Sequence, residues 1–233
     1  AWLKLLQAWT QAKEVTRMKK KPWWVGVLLW FTPFIASTLV TNFVLSTVTI
    51  SGVSMAPSFA DGQRVALSKI DKTYQRGEIV VFTSGGNDPT ATGQESLYVK
   101  RVIGVAGDTV RYKDGKLYVN DKEVRQDFLQ DSAHDLINSA FEKEDGTSIP
   151  ENNYWSLEDL SDAEGWNEWS KGVNKVPEGC IFVMGDHRSA SKDSRFFGYV
   201  KTDSIVGVVK QMPFSNEQVQ SVMNDVTEQF FVE

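Results

Sequence analysis

Ser54 stands in the run Ser51-Gly52-Val53-Ser54-Met55-Ala56-Pro57, where glycine and proline keep the backbone out of a helix. A hydroxyl on such a turn is presented rather than buried, as a serine nucleophile must be, although a Ser/Gly linker has the same composition. Serine attacks well only when a base takes its proton. The chain has two histidines, His134 and His187, so a lysine also has to be considered. Lys100 interrupts an otherwise apolar run, Leu97-Tyr98-Val99 before it and Val102-Ile103 after Arg101. Desolvation there would disfavour the charged amine, and bringing it to near neutrality takes about 4 kcal/mol. Arg101 would point to the opposite face of the same strand. Without other information a strand lysine is more often a surface residue. A third group runs Gly185-Asp186-His187-Arg188-Ser189-Ala190-Ser191-Lys192-Asp193-Ser194-Arg195. Its hydroxyls could orient an amine while Asp–Arg pairs stiffen the loop. A solvated charged loop would have the same residues.

The elements that must position these groups follow from the rest of the chain. With 233 residues there is room for one ordinary domain and an anchor. A net charge of -5, with no basic stripe interleaved with aromatics, argues against a nucleic-acid partner. The single cysteine, Cys180, rules out an intramolecular disulfide, and two histidines leave no basis for a multi-His metal site. No cofactor is expected. Residues 1–21 form an amphipathic, basic segment ending in Arg17, Lys19, Lys20 and Lys21, suited to a membrane surface. No charged residue occurs from Pro22 to Ala60. Within that stretch, the span from Trp23 to Leu45 would reach about 34 Å as a helix, enough to cross a bilayer. We therefore expect a single transmembrane anchor over 22–47, kinked at Pro33. Its basic flank places the N-terminus in the cytoplasm and the remainder outside.

Beyond Ser54 the pattern is one of short strands: Gln63–Ser68, Glu78–Thr83, Leu97–Val105, Thr109–Tyr112, Leu117–Val119, Lys122–Val124, Cys180–Met184 and Ile205–Gln211. Lys113-Asp114-Gly115-Lys116 predicts a hairpin turn. No strand alternates with a long helix, so the expected fold is mainly β, an antiparallel sheet domain over 48–214. Residues 126–172 are acidic and poor in strand signals, and we expect a small inserted cap whose tryptophans pack onto the main body. Residues 215–233 predict a short C-terminal helix or tail.

In their order and in the anchor-then-domain layout, Ser-Met-x-Pro, Lys-Arg-Val-Ile-Gly followed by Gly-Asp, and Gly-Asp-x-Arg-x-x-Ser-x-Asp-Ser-Arg resemble the type I bacterial signal peptidases, in their Gram-positive-like form. The resemblance covers roughly residues 22–212 and implies a membrane-bound endopeptidase with a Ser/Lys dyad. Ser54 matches the nucleophile and Lys100 the general base. Ser191 matches the hydroxyl that positions the amine, and Asp193 with Arg195 a supporting ion pair. Asp186 and Arg101 resemble a second pair, while Met55 and Pro57 match structural neighbours of the nucleophile. The implied substrates are exported preproteins with small residues at the first and third positions before the cut. The lipid bilayer is a further partner, and the secretion translocon a candidate one. The implied location is the cell membrane. Two departures stand out. Gly52 occupies a place where some members carry a serine that donates to the oxyanion, which leaves the Ser54 N–H as one donor and the second unidentified. His187 replaces an asparagine common in the family, and a structural role is expected for it. Two rival readings are a Ser/Lys self-cleaving regulator and a catalytically silent anchored homologue serving as a scaffold.

Overall fold

A computed structural model of the chain describes residues 22–39, 44–91, 96–129, 154–162, 165–210 and 226–232. The chain divides into two units, residues 1–42 and 43–233. In the first, helix α1 spans Trp23–Leu39, 17 residues including Pro33. Its side chains are largely exposed: Trp23, Trp30 and Phe34 are 82%, 80% and 70% accessible. Among the described residues no helix is long and apolar enough to cross a membrane. The basic segment 1–21 lies outside the described residues. The expected anchor 22–47 also overlaps a strand, because Leu45–Thr49 is β1, paired along its length with β2.

The second unit is built on two antiparallel sheets. Strands β1 (Leu45–Thr49), β2 (Arg64–Ser68), β3 (Ile79–Thr83), β4 (Leu97–Val105), β9 (Cys180–Met184), β10 (Val200–Lys201) and β11 (Ile205–Lys210) form the larger, ordered β1-β2-β11-β3-β4-β9-β10. Strands β5 (Val110–Lys113), β6 (Lys116–Val119), β7 (Lys122–Glu123) and β8 (Tyr154–Ser156) form the smaller, ordered β7-β6-β5-β8. The β5–β6 hairpin closes through Asp114 and Gly115, at φ 52° and 83°. Two successive positive φ values match the right-handed strand twist, which is why Asp-Gly serves there. The expected mainly antiparallel fold is thus present, with a second small sheet.

The described residues of the expected insertion, 126–172, include part of the small sheet. Strand β8 pairs with β5 and completes the small sheet, and helix α2 (Leu157–Ser161) follows at once. Ser156 caps that helix by accepting from the Asp159 N–H, while Asp159 accepts from Ser156 N in return. Trp155 stacks on Tyr112, and Trp166 meets Tyr199 edge-on, both tryptophans fully buried, so these aromatics do pack on the main body. Residues 130–153 lie outside the described ones, as do residues 211–225, where most of the expected C-terminal helix falls. The segment 226–232 docks beside the small sheet: Phe231 bridges Val124, and Val226 and Phe230 are buried. It also backs Gly77, where an added Cβ would lie 2.8 Å from the Val226 carbonyl oxygen.

Strand β4 runs through the middle of the larger sheet and organises the site. Its register sets Lys100 opposite Val80 and Arg101 opposite Ile79 on β3. A strand alternates its side chains between faces, so the two adjacent cations enter different cores. Val80, Phe82, Tyr98 and Val102 belong to the cluster on the Lys100 face. Ile79, Val81 and Val99 belong to the cluster on the other.

Candidate active site

Ser54 sits in the tight turn that follows β1. Gly52, at φ 88°, bends the chain, and its N–H donates to Asp61 Oδ1 at 2.8 Å. Nothing lies within 4 Å of an added Cβ there, so backbone conformation and not space favours glycine at this position. Met55 is 1% exposed and packs in the Ile50–Phe59 cluster, with its carbonyl accepting from Phe59 N–H. Met55 thereby ties the turn to the core while Ser54 remains half-buried. Pro57 lies on the same turn, between Ala56 and buried Ser58.

Lys100 Nζ lies 2.8 Å from Ser54 Oγ, within hydrogen-bonding distance. Lys100 is 4% exposed, and the Tyr98 ring centre is 5.7 Å from its amine. Burial pulls its pKa from 10.5 down to about 8, and Arg195 pulls the same way; Asp193 and Asp186 act against them. That drop amounts to about 3 kcal/mol against the charged amine. A lysine so placed can hold a lone pair toward a hydroxyl close to neutral pH.

The flanking ion pairs are fully formed. Arg101 Nε and one terminal nitrogen donate to the two oxygens of Asp186 at 2.8 and 2.7 Å. Its other terminal nitrogen donates to the Gly77 carbonyl at 2.8 Å. Ser58 Oγ donates to Asp186 at 2.5 Å and accepts from Arg101 at 3.2 Å. Both charged side chains are completely buried. On the next turn Arg195 grips Asp193 through Nε and a terminal nitrogen at 2.8 and 2.9 Å. Burial would raise the Asp193 carboxyl, but the Arg195 charge and hydrogen bonds, with the Gly185 N–H, hold it below the usual carboxylate range. Helix α3 (Ser194–Phe197) starts there, capped by Asp193, which accepts from Arg195 N–H.

Ser191 is 2% exposed, and its Oγ makes no hydrogen bond among the described residues, so the expected link to the lysine amine is not formed in this arrangement. The loops are nevertheless interlocked. A Cβ at Gly185 would lie 2.1 Å from Ser191 Oγ and 2.5 Å from the Ser54 carbonyl oxygen, so only glycine fits between them. His187 meets the serine turn from the same loop: its backbone N–H donates to Ser54 O at 3.1 Å, and its ring Nδ1 lies 3.2 Å from Val53 O.

Several contributors escape a sequence reading. Ser58 and the Gly77 carbonyl add to Asp186 as acceptors for Arg101, yet neither residue type signals that use. Arg188 is completely buried and donates to Gly185 O and Gln126 Oε1. Burial lowers its guanidinium to about 10 despite the pull of Asp186, so it stays charged at neutral pH. Three buried arginines (Arg101, Arg188 and Arg195) thus face two buried aspartates, Asp186 and Asp193. A protonated Lys100 would be a fourth cation in the group. The arginine count in the Gly-Asp-x-Arg motif was the available signal. Finally, Lys192 pairs with buried Asp88 at 2.6 Å, and Asp88 also accepts from Tyr98 Oη at 3.0 Å. This contact fastens the 185–195 loop to the strand that carries the lysine.

Known proteins resemble the chain over most of its length. The family model described as signal peptidase, peptidase S26, matches residues 23–214. Signal peptidase IB of Staphylococcus aureus is 37% identical over 187 residues, covering 78% of this chain and 85% of the relative. Signal peptidase I V of Bacillus subtilis (strain 168) is 35% identical over 195 residues, 82% of this chain and 98% of the relative. Among solved structures, a signal peptidase I from Enterococcus faecalis V583 is 33% identical, covers 59% of this chain and 97% of its own, and superposes with a TM-score of 0.41. The chain therefore belongs to the signal peptidase family, peptidase S26, as a serine endopeptidase with signal peptidase I activity.

Proposed function

We propose that Ser54 is the nucleophile and neutral Lys100 the general base of a membrane-anchored enzyme that removes signal peptides from exported preproteins. The observation that carries this reading is the 2.8 Å contact between Ser54 Oγ and a buried amine whose pKa is brought down to about 8. Lys100 takes the Ser54 proton as Oγ attacks the scissile carbonyl, giving a tetrahedral intermediate. The ammonium then returns the proton to the leaving amine, and the C–N bond breaks to leave an ester on Ser54. A water that gives its proton to the same amine hydrolyses the ester, and the proton passes back to Ser54 Oγ as the serine leaves. The Ser54 N–H supplies one donor to the oxyanion. Asp193 with Arg195, and Asp186 with Arg101, hold the two sides of this arrangement, and Ser191 is the hydroxyl nearest in role to orienting the amine.

The substrate adds as an extended strand beside residues 48–53 and 96–100. In support, residues Leu97–Lys100 pair only with β3, and β1 pairs only with β2, among the described residues. Val48 and Val99 pack against one apolar cluster, a surface suited to small side chains at alternate positions. Anchoring rests on the uncharged stretch that contains α1 and on the exposed aromatic and aliphatic side chains of that helix. The basic residues before it support an N-terminus in the cytoplasm and a catalytic unit outside. The deciding experiment is cleavage of a preprotein in detergent or liposomes by wild type, Ser54→Ala and Lys100→Ala. Both variants should be folded and inactive, and appreciable cleavage by either would show that its role is misassigned.

A further inference from the structure

We propose that His187 is a positioning residue whose ring fixes the direction of the Ser54 N–H, and so sets the oxyanion donor in place before substrate arrives. This rests on the reading of Ser54 as the nucleophile and of its N–H as a donor.

The argument starts from the peptide linking Val53 and Ser54. That peptide is trans, so its carbonyl and its N–H point in opposite directions and turn together. Whatever holds Val53 O therefore also aims the Ser54 N–H. Two groups hold it: Ala56 N–H within the turn, at 3.0 Å, and His187 Nδ1, at 3.2 Å. A carbonyl oxygen can only accept, so Nδ1 carries the hydrogen. The neutral Nδ1–H tautomer and the cation both keep that donor. The next carbonyl, Ser54 O, accepts from the His187 backbone N–H at 3.1 Å, so one residue holds two consecutive carbonyls of the turn. The Ser54 N–H itself donates to no acceptor among the described residues. It is a backbone donor left free beside a nucleophile, with its peptide plane gripped from behind.

This accounts for the residue type at position 187. In asparagine, Nδ2 is attached to Cγ as Nδ1 is in histidine, and it carries hydrogens that can reach the same carbonyl. Histidine thus keeps the donor with a ring in place of an amide. Aspartate would set oxygen against oxygen, and leucine would leave Val53 O with the turn bond alone. It also separates His187 from base catalysis, since its contact is with a backbone carbonyl and Lys100 has the serine hydroxyl.

The test uses the full chain in detergent and compares wild type, His187→Leu, His187→Asn and Ser54→Ala. Cleavage of a signal-peptide substrate gives kcat and KM, and a peptide aldehyde ending in alanine probes the oxyanion site directly. Removing an oxyanion donor outright costs about 100- to 1,000-fold in kcat. Loosening it should cost less, about tenfold for His187→Leu, with KM changed less than about twofold and aldehyde affinity reduced by a similar factor. His187→Asn should recover kcat to within about threefold of wild type. The proposal is overturned if His187→Leu keeps wild-type kcat, if its loss falls on KM alone, or if Asn is as impaired as Leu. Thermal unfolding of both variants separates a folding defect, which would lower both melting temperatures without distinguishing donor from non-donor. Cleavage by Ser54→Ala would overturn the underlying reading of the nucleophile. An inactive Ser54→Ala beside a fully active His187→Leu would overturn the positioning role alone.

Discussion

Lys100 and Arg101 are neighbours on one strand, both buried and both cationic in water, yet the two faces of β4 treat them in opposite ways. Arg101 meets a carboxylate through two nitrogens, a backbone carbonyl through a third contact and a serine oxygen besides. Lys100 meets a serine hydroxyl and the face of Tyr98, while Asp193 and Asp186 act on it only through their fields. A buried charge is tolerated when its hydrogen-bonding needs are met, and is driven toward neutrality when they are not. Supply of partners, more than depth of burial, makes one cation a fixed strut and leaves the other suited to the proposed role of base. The residue types suit the division, since guanidinium keeps its proton under nearly all conditions and an amine gives it up when desolvated.

The sharpest way to break this comparison is to exchange the chemistry of the lysine face. Lys100→Arg should lose about a thousandfold or more in kcat/KM, because a permanent cation cannot take the serine proton. Measurable turnover near wild type would dissolve the distinction between the two faces. On the other face, Arg101→Leu should destabilise the protein by about 3–5 kcal/mol in denaturant melts, since Asp186 would be left charged and buried. Arg101→Leu with Asp186→Leu should recover much of that loss, and a single variant costing under about 1 kcal/mol would show that the pair is not a strut.

Lys100→Met should be inactive but more stable than wild type at pH 6–7, by up to about 3 kcal/mol. The sign follows from proton binding. The folded amine titrates at about 8 against 10.5 for the ordinary group, so between these values the unfolded chain binds more protons and wild-type stability rises with pH. The advantage of methionine should accordingly fade across pH 8 to 10.5, and a wild type that is the more stable at pH 6 would contradict a strained lysine. With the same titration, wild-type kcat/KM should climb about tenfold from pH 7 to its plateau, with a midpoint near 8. A flat profile over that range would place the base elsewhere. The smallest effect is expected at Lys192→Met, about 1 kcal/mol or less, because Lys192 is half-exposed while Asp88 keeps Tyr98 and Thr90 as donors.

The parts of this molecule that could be read from sequence were those with local cues. Cys180–Met184 is an uninterrupted apolar run and is strand β9 to the residue, and Asp114-Gly115 marked its hairpin. Ser54 and Lys100 were legible because each departs from its surroundings, a hydroxyl on a turn and a cation in an apolar strand. Strand β1 was hidden because Leu45–Thr49 continues the uncharged stretch that begins before α1, with no polar break to signal the change of period. Strand β8 was hidden because its support is remote: Tyr154–Ser156 forms against β5 and by stacking on Tyr112. In the site, the use of Ser58, the Gly77 carbonyl and the His187 ring depends on which backbone passes nearby, and that is settled only when the sheet closes.

The segment 226–232 has a practical consequence. Val226 and Thr227 press on Gly77, and the Gly77 carbonyl is one of the groups holding Arg101. The family model stops at residue 214. Trimming the gene to that limit for expression would strip away the brace behind the arginine, although Ser54 and Lys100 would survive the cut. An expression boundary placed beyond Val232 keeps the brace, and is the safer choice for anyone making this enzyme.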